Sequence, residues 1–365
     1  PTTLTSPLVG EARRGVTLLK HETPTDHPPT RETIMTIRFG LLGAGRIGKV
    51  HARAVTGNPK ARLVAVADAF PKAADDIAAA YGCDVRTIDE ILASSDIDAV
   101  VICTPTDTHA DLIEAFSKAG KAIFCEKPVD LDVARVRACL KTVEQTGATL
   151  MVGFNRRFDP HFQAVRAAID AGDIGEVEMV TIVSRDPGPP PVDYIKRSGG
   201  IFRDMTIHDF DMARFLLGEE IETVSAAASV LVDKAIGGAG DYDSASVILT
   251  TASGRHATIS NSRRATYGYD QRIEVLGSKG SAAAENQRPV SIEIATAAGY
   301  TRPPLHDFFM TRYTEAYANE IKAFIDAVES KSKPTPSGQD GLAALVLAEA
   351  ALKSVKEGRA VKVSE

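Results

Sequence analysis

The sequence predicts an α/β chain in which a doubly wound parallel sheet is followed by an α+β domain built on a large, mostly antiparallel sheet. Three observations carry this reading. Between residues 37 and about 155, short and nearly continuous apolar runs alternate with helical stretches, as strands buried on both faces require. Beyond 155 the extended segments are longer, rich in Val, Ile, Thr and Ser, and joined by tight turns that suit antiparallel neighbours. The first apolar run closes on Gly43-Ala44-Gly45-Arg46-Ile47-Gly48, a glycine-patterned strand-to-helix turn.

The elements follow in chain order. After the run ending at Leu42, a strand at 62–68 is succeeded by an alanine-rich helix at 72–81, and Thr87-Ile88-Asp89-Glu90 has the pattern of a capping box for a helix ending near Ser94. Strands at 99–103, 121–125 and 149–153 alternate with helices at 108–119 and 132–146, which stop at Gly120 and Gly147. Residues 35–155 are therefore expected to form a dinucleotide-binding domain. Asp159 and Pro160 then open a helix as N-cap and first residue, and Gly172 closes it. Strands are expected at 176–184, 222–233, 242–251, 256–262 and 272–276. Helices at 201–217 and 314–330 are expected to cover one face of that sheet, leaving the other to a partner subunit. A last amphipathic helix at 341–358 is expected to pack back across the junction between the 35–155 and 156–365 domains.

The glycine turn has a chemistry of its own. Gly43 permits the sharp reversal, Gly45 lets a pyrophosphate approach the backbone, and Gly48 packs helix against strand. The amides at the helix start, at Arg46 and Ile47, then face the phosphates. Asp68 ends the second strand 20 residues after Gly48, where a carboxylate accepts the ribose hydroxyls of a dinucleotide and repels a 2′-phosphate. Neither Ala69 nor Phe70 offers a cation to hold that phosphate, so the expected cofactor is NAD and not NADP.

A chain of 365 residues exceeds the size at which single cores stop growing, which argues for two domains. A 44% hydrophobic, 25% charged composition with net charge −6 gives no sign of a nucleic-acid or anionic-membrane partner. No apolar run approaches the roughly 18 residues of a membrane span. Cys83, Cys103, Cys125 and Cys139 contain no C-x-x-C pair and read as buried, reduced thiols, neither a disulfide framework nor a zinc site, which places the protein in the cytoplasm. Residues 1–34 hold five prolines and eight threonines without strand or helix period, and are expected to be a disordered leader.

Three places carry candidate chemistry. Glu126-Lys127-Pro128 follows the strand at 121–125, so Lys127 points at the crevice outside the strand ends, unless it is only a solvated charge. Asp204 and His208, after Gly199-Gly200, are four residues apart and share one face of a helix. The alternatives there are an N-cap with a packing histidine, or a metal held by His208, Asp204 and Asp211, for which no H-x-x-x-H or cysteine partner exists. Cys103-Thr104-Pro105-Thr106-Asp107-Thr108-His109 ends another strand, with Thr108 as a helix cap and His109 in the first turn.

Taken together, the G-x-G-x-x-G turn, Glu126-Lys127-Pro128, and Gly199-Gly200 followed by Asp204 and His208 resemble the glucose-fructose oxidoreductase/inositol dehydrogenase (Gfo/Idh/MocA) family. The run from Val192 to Asp204 and the element Tyr267-Gly268-Tyr269-Asp270 look most like its inositol 2-dehydrogenases. The resemblance covers the chain from Thr36 to about Val363. It implies a catalytic set of Lys127, Asp204 and His208, with His208 as general base, Asp204 orienting it, and Lys127 on the developing alkoxide; the reverse assignment, Lys127 as base, stays open. It also implies that Thr104, Pro105, His109, Glu126 and Lys127 line the cofactor. Asn155, Arg157, Tyr267 and Tyr269 are the further substrate contacts it suggests. The implied reaction is NAD-dependent oxidation of myo-inositol by a metal-free homo-oligomer, a tetramer in the family. Another inositol isomer, a pyranose sugar, or a non-catalytic NAD(H)-binding regulator are the alternatives.

Overall fold

Six strands, all but one short edge strand with apolar side chains on both faces, pair in parallel in the computed structural model, which describes residues 36–363; the leader expected over 1–34 lies outside the described residues. They are β1 (Ile37–Leu42), β2 (Ala61–Ala67), β3 (Asp84–Val85), β4 (Ala99–Ile102), β5 (Ala122–Glu126) and β6 (Leu150–Gly153), in the order 3-2-1-4-5-6. Every pairing is parallel. The winding reverses between β1 and β4, which opens a crevice at their carboxyl ends. The edge strand β3 is absent from the sequence reading because two exposed residues carry no apolar period.

The second sheet contains β7 (Val177–Arg185), β8 (Ile221–Ser229), β9 (Ser244–Thr251), β10 (His256–Ser262), β11 (Asp270–Gly277) and β12 (Gly280–Ala284). A separate hairpin follows, β13 (Ile294–Thr296) with β14 (Gly299–Thr301), and β15 (Val361–Lys362) closes the large sheet. Its order is 12-11-7-10-9-8-15. All neighbours are antiparallel except β7 and β10, whose parallel pairing is bridged by a long connection through β8 and β9. The tight turns at 251–254 and 277–280 join antiparallel partners. The strand expected to run to 233 stops at Ser229, where the chain turns under Asp243: its carboxylate accepts the backbone N–H of Leu231, Val232 and Asp233 at 2.8–3.0 Å.

One helix lies elsewhere than expected. Thr314–Ser330 packs on the parallel sheet and the first helix, Arg46–Thr56, not on the antiparallel sheet. Phe324 packs at an angle against Phe39 of β1 and edge-on to Phe124 of β5, with ring centroids 6.1 and 5.9 Å apart. An apolar stripe identifies the face that is buried and not the surface that buries it. One face of the second sheet is covered by the helix at 200–217, by Pro160–Asp170 and by Gly338–Glu357, and the other is exposed along its strands.

That final helix touches both sheets. At its start, Gly341 is close-packed: a Cβ there would lie 3.3 Å from Val152 of β6. Near its end, Ser354 Oγ accepts the backbone N–H of Ala226 in β8 at 2.9 Å. Ser337 and Asp340 form its capping box, and Asp340 also accepts Arg157 Nη2 at 2.9 Å. Arg157 is buried and donates twice more to Asp211, at 2.6 and 2.8 Å. Removing one partner of a buried ion pair strands the other charge, at a cost of about 3–5 kcal/mol. Arg157→Ala is therefore expected to lower unfolding stability by about that amount in a urea titration, and a loss below about 1 kcal/mol would show that Asp211 and Asp340 do not depend on it.

Candidate active site

The glycine turn leaves room where a dinucleotide needs it. Gly43 has φ +96°, and a Cβ there would lie 2.6 Å from the carbonyl of Cys103, while one on Gly48 would lie 2.0 Å from the Gly43 oxygen. A Cβ on Gly45 would meet nothing within 4 Å, so the backbone between the two packed glycines is open to a ligand. Asp68 holds the turn: its carboxylate accepts the N–H of Ala44 at 2.6 Å and of Phe70 at 2.7 Å. Lone pairs remain on a carboxylate so placed to accept ribose hydroxyls. Arg46 and Ile47 begin the helix Arg46–Thr56, whose first amides have no partner within the helix. These residues fit a bound dinucleotide.

Across the crevice, Lys127 follows β5, and the Lys127–Pro128 peptide is cis. Lys127 Nζ donates to the main-chain oxygen of Asp204 at 2.7 Å and lies 3.5 Å from Asp204 Oδ1. Asp204 sits in a π-helical turn, Phe202–Thr206, inside the helix at 200–217. Gly199 and Gly200, with φ of 85° and 84°, deliver the chain into that turn. A side chain on Gly200 would collide with Asp241, whose carboxylate accepts the N–H of Ile201 at 2.9 Å. Asp204 is fixed on its other sides by Tyr194, whose hydroxyl donates to Oδ1 at 2.8 Å, and by Arg263, whose guanidinium lies 3.4 Å from Oδ2.

Histidine 208 follows the π turn and packs edge-on to Phe154 at 6.1 Å. Its Nδ1 is enclosed without a hydrogen-bond partner. Burial, then the positive charges of Lys127 and Arg156, hold its pKa well below the ordinary histidine value, so the ring is neutral at pH 7. Arg156 is itself buried, paired with Asp209 and donating to Ser184 at 3.0 Å. Asn261 donates to Asp209 at 2.8 Å and accepts Thr206 at 2.7 Å, which braces the helix from below.

A model of the oxidoreductase family with an NAD-binding Rossmann fold matches residues 37–154, and one of the GFO/IDH/MocA C-terminal domain matches 162–283. An inositol 2-dehydrogenase of Rhizobium meliloti is 78% identical over 330 residues, 90% of this chain and 100% of that protein. The chain belongs to the Gfo/Idh/MocA family. Among solved members, a myo-inositol dehydrogenase of Corynebacterium glutamicum is 44% identical with TM-score 0.88, covering 90% of this chain and 99% of that one. A scyllo-inositol dehydrogenase of Lactobacillus casei, crystallised with NAD(H) and scyllo-inositol, is 28% identical with TM-score 0.84, covering 90% of this chain and 100% of that one. The cofactor of this family member is NAD.

The remaining residues named from the sequence divide. Asp204 does not orient His208 as expected, since its oxygens are engaged by Lys127, Tyr194 and Arg263; the π turn breaks the α-helical register on which the four-residue spacing was read. Asp211 is paired with Arg157, away from any shared metal site with His208, and the same pairing removes Arg157 as a substrate contact. His109 is buried with its ring nitrogens 2.8 Å from the carbonyl oxygens of Thr104 and Pro128, so it ties two loops together instead of presenting its ring to the cofactor. Thr108 makes no side-chain cap, its hydroxyl lying against Thr104 and Pro105. Thr104 and Pro105 do border the crevice after β4. Glu126 is turned inward against His51 at 2.7 Å. Asn155 is buried with its amide nitrogen unpartnered, a donor in search of an acceptor. Tyr269 is wedged against Phe308 and Tyr313, and the Tyr267 hydroxyl is committed to Asp270 at 2.6 Å. All four cysteines are free thiols, and Cys83 is only half-buried.

Tyr194, Arg263 and Asp186 were missed. Asp186 directly follows β7, and burial pushes its carboxyl up to about 7 against the pull of Arg263. Its Asp-Pro-Gly sequence reads as an ordinary turn, which hid it. Because the unfolded chain releases this proton first, the raised pKa costs stability as pH rises from about 4 to about 7. Asp186→Asn is expected to remove that part of the decline in melting temperature across this range, and identical pH dependence in both proteins would contradict it. Asp68→Ser with Ala69→Arg should lower the KM for NADP at least about tenfold in steady-state assays, whereas equal use of NAD and NADP by the unaltered protein would overturn the role of Asp68.

Proposed function

We propose that this chain is an NAD-dependent inositol 2-dehydrogenase that oxidises myo-inositol to 2-keto-myo-inositol. The observation that carries the reading is the meeting of Lys127 with Asp204 beside a neutral His208, at the carboxyl end of the sheet that holds the dinucleotide turn. The names of its relatives, inositol 2-dehydrogenase and myo-inositol dehydrogenase, support it. NAD, when bound, accepts a hydride from the secondary alcohol carbon. The hydroxyl proton must leave in the same event, and a neutral imidazole is ready to take it. The Lys127 ammonium, held by the Asp204 carbonyl, hydrogen-bonds the oxygen as charge grows on it. Asp186, Asn155 and Tyr194 offer the mixed donors and acceptors that a polyol requires.

Within this reading, 35–155 binds the cofactor, and 156–365 binds the polyol and supplies the assembly surface. The second sheet exposes Met179, Ile248 and Leu276, apolar side chains suited to a homo-oligomer, for which a tetramer is our expectation. Free thiols suit the cytoplasm. No helix among the described residues is long and apolar enough to cross a membrane.

NADH production from a panel of myo-, scyllo- and D-chiro-inositol and glucose tests the substrate, with myo-inositol expected to give the highest kcat/KM. Lys127→Ala and His208→Ala should each lower kcat at least about a hundredfold while NADH binding and folding persist. Because His208 is neutral without substrate, kcat/KM should stay level as pH falls through 6.5 and decline only well below it. Near-normal turnover in His208→Ala would make Lys127 the base.

A further inference from the structure

Behind the Lys127 turn, three ionisable side chains meet in a closed space. His51 comes from the helix after the glycine turn, Glu126 from the end of β5, and Glu320 from the helix Thr314–Ser330. One side-chain nitrogen or oxygen from each lies within 4.8 Å of the other two, and all three residues are buried, His51 and Glu320 with 0% exposure. Glu126 is well served: His51 Nε2 lies 2.7 Å from Oε1, and the Lys127 backbone N–H donates to Oε2 at 3.3 Å. A side chain on Gly153 would press on the same carboxylate at 3.2 Å, so Glu126 has little freedom. Glu320 has both oxygens enclosed without a hydrogen-bond partner. Among the described residues, neither glutamate forms an ion pair with lysine or arginine.

Two carboxylates in one buried cluster with a single imidazole cannot both ionise cheaply. The proton belongs on the group that has no partner. We propose that Glu320 is a positioning residue: it stands as the neutral acid beside the His51–Glu126 pair, and its neutrality leaves Glu126 free to hold the Lys127 backbone in place. Burial, then the charge of Glu126, push the Glu320 carboxyl well above the usual range. The other titratable groups facing the enclosure are Cys103, Cys125 and Tyr317, each held protonated chiefly by burial, so none supplies a countercharge. Ionising Glu320 at alkaline pH would divide His51 between two carboxylates and loosen the turn that carries Lys127.

The consequence for catalysis rests on the dehydrogenase reading; the protonation state does not. The infrared difference spectrum of wild type against Glu320→Gln at pH 7 should show the C=O stretch of a protonated carboxylic acid, present in the wild type and lost in the variant. That measurement needs no inositol turnover. The isosteric variant should keep kcat at pH 7 within about twofold and NADH affinity unchanged, and should lack an alkaline fall in kcat that is expected of the wild type. An absent acid band, or stoichiometric bound metal with both glutamates ionised, would overturn the proposal, and superimposable kcat–pH profiles would overturn the link to Lys127. Should Glu320→Gln not fold, loss of the acid band of an Asp186→Asn protein on raising the pH well above 7 supplies the same test without the contribution of Asp186.

Discussion

An ammonium at the end of one sheet must meet the main chain of a helix that lies on another, and the candidate active site depends on that contact. Lys127 belongs to the parallel sheet and Asp204 to the helix at 200–217, and they join through a carbonyl as well as a carboxylate. A carbonyl contact fixes position, because it cannot be preserved by a side chain turning away. Asp204 is in turn held by Tyr194 and by Arg263, a guanidinium only 1% exposed. A cation buried so far must have its charge answered, and Asp204 and Asp241 answer it. The two glycines and the π turn supply the path that lets the chain reach these partners.

Around that contact, burial divides the ionisable groups by role. His208 is neutral because it is desolvated and surrounded by cations, whereas the Asp186 carboxyl, pushed up to about 7, stands between donor and acceptor near neutral pH. Arg156 and Asp209 pair beneath the site, where burial pushes the Asp209 carboxyl up and the Arg156 charge opposes that shift. Environment sets groups of ordinary intrinsic acidity to different tasks, as proton transfer at neutral pH requires.

Two late helices make the arrangement rigid. Thr314–Ser330 returns to the parallel sheet, carrying Phe324 onto Phe39 and Phe124 and Glu320 onto Glu126. Gly338–Glu357 packs its glycine-rich start on β6 and its end on β8, with Arg157 clamped between Asp211 and Asp340 at its N-terminus. The two sheets are thus joined by Gly338–Glu357, an element that comes late in the chain.

Local chemistry is what the residue order determined by itself. The G-x-G-x-x-G turn, Asp68, the capping box at Thr87, the N-cap at Asp159 and the alternation of strands with helices are set by neighbours within a few residues, so each was legible without coordinates. Lys127, Asp204 and His208 were expected as a set from the family resemblance of their motifs, and of these Lys127 and Asp204 meet. What only the tertiary structure decided is which groups are answered by partners far along the chain. Arg157 reads like a substrate contact until Asp211 and Asp340 occupy it, and His109 like a cofactor contact until two carbonyl oxygens do. Asp186 and Glu320 read as ordinary acids, because desolvation depends on atoms brought from distant segments and leaves no trace in local spacing.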